Sequence, residues 1–208
     1  MLVTDSRIVP VVVINEADRA EALGEALVAG GIPVAEVTFR TAAAEAAIRR
    51  LSANPDLLVG AGTVLTVDQV DRAVQAGAQF IVSPGFSVAV VRRAQQHGLP
   101  VFPGAVTPTE IMAALDEGLT TLKFFPANVY GGAAALTALG APFPQVRFIP
   151  TGGVSVGNLT DYLSLPNVAA VGGSWMVPAD AIDAGDTGTI RRLCAAAVQA
   201  VSNFSKAA

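Results

Sequence analysis

Lys123 is one of only two lysines in a chain of 208 residues, and it lies inside an apolar run, Leu122-Lys123-Phe124-Phe125-Pro126, with strand composition. The other, Lys206, sits near the C-terminus, where a solvated charge costs nothing. An ammonium flanked by Leu122, Phe124 and Phe125 loses much of its hydration unless it is paired or gives up its proton. Desolvation lowers a lysine's pKa and leaves a neutral amine able to attack a carbonyl. Position alone leaves three readings open: a nucleophilic amine, a lysine in a salt bridge, or a fixed charge holding a phosphate. A second unusual run is Glu36-Val37-Thr38-Phe39-Arg40, in which polar and apolar residues alternate. A period of two puts Glu36, Thr38 and Arg40 on one face of a strand. A buried carboxylate near a buried lysine can act as a general acid/base. An internal Glu36–Arg40 ion pair that orders the core is the plainer alternative.

The elements that must position these residues alternate along the chain. Short β-branched runs at residues 9–14, 34–40, 57–62, 80–83, 100–103, 121–125, 147–150 and 168–172 read as strands. Alanine-rich stretches with helical spacing fall between them, at 18–29, 42–53, 67–76, 88–97 and 108–117, with a last helix at 190–201. Links of a few residues suit βα units and a parallel sheet. Eight such strands predict an α/β fold, a closed (β/α)8 TIM barrel. An open doubly wound sheet would favour a Gly-x-Gly-x-x-Gly turn after the first strand, where the chain has Ile14-Asn15-Glu16-Ala17-Asp18. The weakest helix is at 129–144, which carries Gly131-Gly132 and two prolines. With no linker or low-complexity segment, the chain reads as one domain over 1–208.

In such a barrel the active site forms at the C-terminal ends of the strands. Strand three ends in Gly60-Ala61-Gly62-Thr63 and strand four in Ser83-Pro84-Gly85, small residues that let a ligand approach the backbone. After strand five, Thr107 reads as a helix N-cap, Pro108 as the first helical residue and Glu110 as the reciprocal cap, a structural role. Thr151-Gly152-Gly153 follows strand seven and Gly172-Gly173-Ser174-Trp175 follows strand eight. Loops at these two places commonly build a phosphate site from backbone N–H groups, and the Thr151 and Ser174 hydroxyls can add donors. The substrate then carries a phosphate at one end, with Lys123 and Glu36 working at the other.

Composition narrows the class. Hydrophobic residues make up 52% and charged residues 14%, with net charge -4, which argues against a nucleic-acid surface. The pairs Arg49-Arg50, Arg92-Arg93 and Arg191-Arg192 fall in helical patterns and read as solvated faces. Cys194 is the only cysteine and His97 the only histidine, so an intrachain disulfide is excluded and a Cys/His zinc site disfavoured. The first residues show no signal-peptide pattern, and runs such as 8–14 are too short to cross a bilayer. The expectation is a cytoplasmic protein.

Assembled in order, Val9-Pro10-Val11, Glu36 to Thr41, Gly60 to Leu65, Ser83-Pro84-Gly85, Lys123 to Ala127, Pro150 to Gly153 and Gly172 to Trp175 resemble one family over nearly the whole chain. It is the 2-dehydro-3-deoxy-6-phosphogluconate (KDPG) and 4-hydroxy-2-oxoglutarate (KHG) aldolases. The resemblance implies a class I aldolase, a homotrimeric barrel that uses no metal or other cofactor. It releases pyruvate from a phosphorylated 2-keto-3-deoxy sugar acid and has no nucleic-acid or membrane partner. It places the Schiff-base lysine on Lys123 and the acid/base on Glu36. Arg40 and Thr63 hold the pyruvyl carboxylate and carbonyl. Pro84 and Phe125 shape the pocket, and Gly152, Gly153, Gly173 and Ser174 match the phosphate end, with Thr151 beside them. One departure is a leading segment of about seven residues, which leaves little to cover the barrel floor. The epimeric 6-phosphogalactonate aldolase is the nearest alternative; Phe124, Thr151-Gly152-Gly153 and Trp175 favour the gluconate reading. An epimerase or thiamine-phosphate-synthase-like barrel can share the phosphate loops without an imine. A non-enzymatic phosphosugar-binding barrel has no need of both Glu36 and an apolar-flanked Lys123.

Overall fold

The computed structural model describes residues 3–207, with side chains described as far as residue 203, so the Lys206 side chain lies outside the described residues. Eight strands occur among the described residues: β1 (Ile8–Val12), β2 (Val34–Thr38), β3 (Leu58–Gly62), β4 (Ile81–Val82), β5 (Val101–Phe102), β6 (Thr121–Phe124), β7 (Arg147–Pro150) and β8 (Val171–Gly173). The helices are α1 (Ala20–Ala29), α2 (Ala44–Leu51), α3 (Val67–Gln75), α4 (Val88–Gln96), α5 (Pro108–Asp116), α6 (Gly132–Gly140), α7 (Leu159–Leu163), α8 (Ala179–Ala184) and α9 (Thr187–Ala207). All the strands are parallel. A six-stranded run, β5-β4-β3-β2-β1-β8, and the pair β6-β7 are joined by isolated bridges, Gly104 to Lys123 on one side, and Phe148 to Val168 and Thr151 to Gly172 on the other. The ring is a (β/α)8 TIM-barrel fold, as the strand–helix alternation predicts. No helix among the described residues is long and apolar enough to cross a membrane.

Several boundaries differ from the expectation for physical reasons. β2 stops at Thr38 because the chain turns there, with the Arg40 N–H donating to the Thr38 carbonyl at 2.8 Å. Near β8, Ala169 pairs with Phe148 of β7, whereas Val171 pairs with Arg7 beside β1, so regular pairing lapses between the two neighbours. α6 forms despite its glycines, because Gly131 (φ 92°) supplies the left-handed turn before it. α9 starts earlier than residue 190 because the Asp186 carboxylate accepts the Thr189 N–H at 2.9 Å and caps its first turn. The Thr107–Glu110 capping box of α5 is present as expected.

Two layers of core hold the barrel. Phe124 and Phe148 meet edge to face at 6.1 Å on neighbouring strands. Inside the barrel, Phe80 and Phe102 do the same, also at 6.1 Å. Gly60 makes room for the Phe80 ring, which a Cβ at that position would overlap. Val3 is buried at the N-terminal end of the barrel, where it shares the lining of a cavity with Leu58, Phe102 and Thr121, so the short leading segment contributes to the floor. Outside, ion pairs link consecutive helices: Arg72 of α3 to Glu45 of α2, Arg93 of α4 to Asp71 of α3, and Arg92 to Glu117 just past α5. Arg72, Arg92 and Arg93 are therefore paired across helices, whereas Arg49 pairs within α2. Each such exposed pair adds only about 0–1 kcal/mol.

Candidate active site

Lys123 and Glu36 meet inside the barrel. The Lys123 Nζ donates to Glu36 Oε1 at 2.9 Å, with side-chain exposures of 7% and 4%. Their backbones are fixed on both sides. Glu36 lies in register with Val11 of β1 and Gly60 of β3. Lys123 lies opposite Ile149 of β7, its N–H donates to the Pro103 carbonyl at 2.9 Å, and its carbonyl accepts the Ala105 N–H at 2.9 Å. Gly62 is part of the device, since a Cβ there would overlap the Glu36 carboxylate. Beneath the pair, Val9, Phe80, Val82, Phe102 and Ile149 line a void of about 10 Å³ closed from below by Val3. The pair therefore sits on an apolar base with room for one water molecule at most. Phe125 adds an aromatic face, its ring centroid 5.4 Å from Nζ.

Of the other expected residues, Arg40 lies beyond the end of β2, exposed and without an ion pair among the described residues. The internal Glu36–Arg40 pair is not formed; Glu36 pairs with Lys123 instead. Thr38, on the same strand face as Glu36, is engaged within the fold, its hydroxyl donating to the Val12 carbonyl at 2.9 Å. Thr63 follows β3 with φ 56°, a left-handed conformation that costs a non-glycine residue about 1–3 kcal/mol and tends to mark functional sites. Pro84 follows β4, and its carbonyl leaves no space for a Cβ on Gly104.

At the other end, Gly152 (φ 90°) and Gly153 (φ 79°) make a left-handed turn after β7 that side chains disfavour. Asn158 Nδ2 donates to the Gly153 carbonyl at 2.9 Å. Among the described residues, the N–H groups of Gly153 and Ser174 have no acceptor. Thr151 bridges Gly172, so the two loops leave neighbouring strands, and free backbone donors there suit an anion. Thr151 differs from its neighbours: its buried hydroxyl points to the Ile149 carbonyl at 3.3 Å, and Gly172 leaves space for it. Sequence reasoning missed Asn128, whose side chain lies directly against Gly153. Nothing in its type or spacing signals this, because the contact arises only when the β6–α6 turn folds onto the β7 loop.

A parallel (β/α)8 barrel with a buried amine–carboxylate pair among its strands defines a barrel enzyme equipped for amine-based carbonyl chemistry. The family model for "KDPG and KHG aldolase" matches residues 1–193, and the chain belongs to that family. It is 50% identical to the 2-dehydro-3-deoxy-phosphogluconate aldolase of Treponema pallidum, over 94% of this chain and 93% of that protein. It is 46% identical to the KHG/KDPG aldolase of Escherichia coli, over 95% and 93%. Among solved structures it superposes with a TM-score of 0.90 and 44% identity on a KDPG aldolase from Legionella pneumophila, covering 94% of this chain and 98% of that one. In that crystal structure pyruvate was captured at low pH as a covalent carbinolamine intermediate.

Proposed function

We propose that the chain is a class I aldolase that cleaves 2-dehydro-3-deoxy-6-phosphogluconate to pyruvate and glyceraldehyde 3-phosphate, and acts on 4-hydroxy-2-oxoglutarate by the same route. The observation that carries this reading is the buried 2.9 Å contact between Lys123 Nζ and Glu36 Oε1. Passing the proton along that hydrogen bond to the carboxylate frees the amine lone pair, which attacks the C2 carbonyl carbon. Glu36 then protonates the departing hydroxyl as the carbinolamine loses water, leaving an iminium. As a carboxylate it next takes the proton from the C4 hydroxyl. The C3–C4 bond breaks, its electrons pass into the iminium to form an enamine, and the aldehyde leaves. Protonation at C3 and hydrolysis release pyruvate and restore the amine.

Arg40, unpaired and exposed near the mouth, holds the pyruvyl carboxylate through its two-pronged guanidinium. Thr63 binds the carbonyl oxygen, and Pro84 and Phe125 wall the imine. Gly152, Gly153, Gly173 and Ser174 receive the phosphate, while Thr151 shapes that end from within the core. The single fold over 1–208 assembles as a homotrimer in the cytoplasm. The homotrimer follows from the resemblance to the family. A lone cysteine, Cys194, whose thiol burial pushes up to about 12, suits a reducing compartment. Pyruvate release from the gluconate and galactonate epimers tests the assignment. Faster release from the gluconate epimer is expected; preference for the other epimer, or no release from either, overturns it.

A further inference from the structure

Asn128 stands where β6, which carries Lys123, turns toward α6. Two backbone bonds fasten this turn to the β7 loop: Ala127 N–H to the Thr151 carbonyl at 2.8 Å and Asn128 N–H to the Gly152 carbonyl at 3.1 Å. The Asn128 side chain then packs on Gly153 so closely that a Cβ there would overlap its Cβ and Cγ. Its position is therefore set by contact with the glycine whose N–H is left without an acceptor.

Other amides in the chain show what a structural asparagine does. Asn158 clamps the Gly153 carbonyl and the Ser155 N–H, and Asn167 donates to the Leu136 carbonyl at 2.8 Å. The Asn128 carboxamide makes no hydrogen bond among the described residues and is exposed. It has a donor to offer and a place set against Gly153, whose N–H is free, and its carboxamide is not spent on a hydrogen bond within the fold. It also carries no charge, whereas an isosteric carboxylate at this place would repel an anion.

We propose that Asn128 is a specificity-determining residue for the phosphorylated end of the substrate. Its Nδ2 donates to a phosphoryl oxygen, and its neutrality keeps the Gly152-Gly153 turn attractive to a dianion. This inference rests on the aldolase reading above and extends it to the choice between phosphorylated and short unphosphorylated keto acids.

The test compares two reactions of the whole protein. One is cleavage of 2-dehydro-3-deoxy-6-phosphogluconate, which uses both ends of the site. The other is exchange of the pyruvate methyl protons with solvent, which uses only the Lys123 end. In Asn128→Asp the ratio of their kcat/KM values falls about 10–100-fold, and in Asn128→Ala about 3–10-fold, with the loss appearing in KM for the phosphorylated acid. A ratio unchanged in both variants, or an equal fall in both reactions, overturns the proposal. Wild-type protein that exchanges no pyruvate protons would overturn the aldolase reading and this inference with it. Normal exchange with a flat ratio removes only the role of Asn128.

Discussion

A lysine and a glutamate held 2.9 Å apart in a barrel interior are an expensive arrangement for a fold to keep for stability alone. Removing either partner strands the other without its counterion, at about 3–5 kcal/mol, whereas replacing both with apolar residues of similar size is often neutral or stabilising. Denaturant unfolding should therefore show Lys123→Met and Glu36→Leu each strongly destabilised, and the double variant restored to near wild-type stability with no aldolase activity. A double variant as unstable as the singles would mean that the pair holds the barrel together. The same reasoning explains why these two residues could be recognised from sequence. Lys123 is chemically out of place among Leu122, Phe124 and Phe125, and Glu36 is out of place between Ala35 and Val37. Asn128 and Gly62 carry no such anomaly. Their roles are contacts with Gly153 and Glu36, created by folding.

At the scale of elements, α5 is fastened by its capping box just after β5, whose end brackets the Lys123 backbone. Burial alone would raise the Glu110 carboxyl, but the Val106 N–H, the Thr107 hydroxyl and the Thr107 N–H together hold it below its ordinary 4.5. A carboxylate depressed on folding contributes its stability above the unfolded value, and that contribution is lost as pH falls through the folded value. Glu110→Gln should thus cost about 1 kcal/mol at neutral pH, and the gap to wild type should close as the pH drops below 4.5. A gap independent of pH would rule out the ionised cap. The strands were legible as short apolar runs, and the helices up to α5 as periodic runs of 8 to 10 residues, three of them (α3, α4 and α5) opened by a Thr or Ser cap. The helices α7 and α8 were not, being only 5 and 6 residues long, too short to show a helical period. The place of Arg40 was also hidden, because the period of two holds only while the strand continues, and β2 turns after Thr38.

For the whole molecule, the floor and the outer surface carry the remaining expectations. Val3 closes the barrel beneath the Lys123–Glu36 pair. Val3→Ala removes two buried carbons and should cost about 1.5 kcal/mol in denaturant unfolding, while a shift near zero would mean that the floor is sealed otherwise. No pattern in the leading segment announced this plug, since one valine acquires its role only when eight strands close around it. Sedimentation equilibrium should report a mass three times that of the 21.1 kDa chain, and a monomer at micromolar concentration would contradict the trimer. The most direct measurement is borohydride reduction in the presence of pyruvate, followed by mass spectrometry of the digested protein. One reduced pyruvate adduct on the peptide containing Lys123, absent from Lys123→Met, is the predicted result. Unmodified protein, or an adduct on any other residue, would contradict the account.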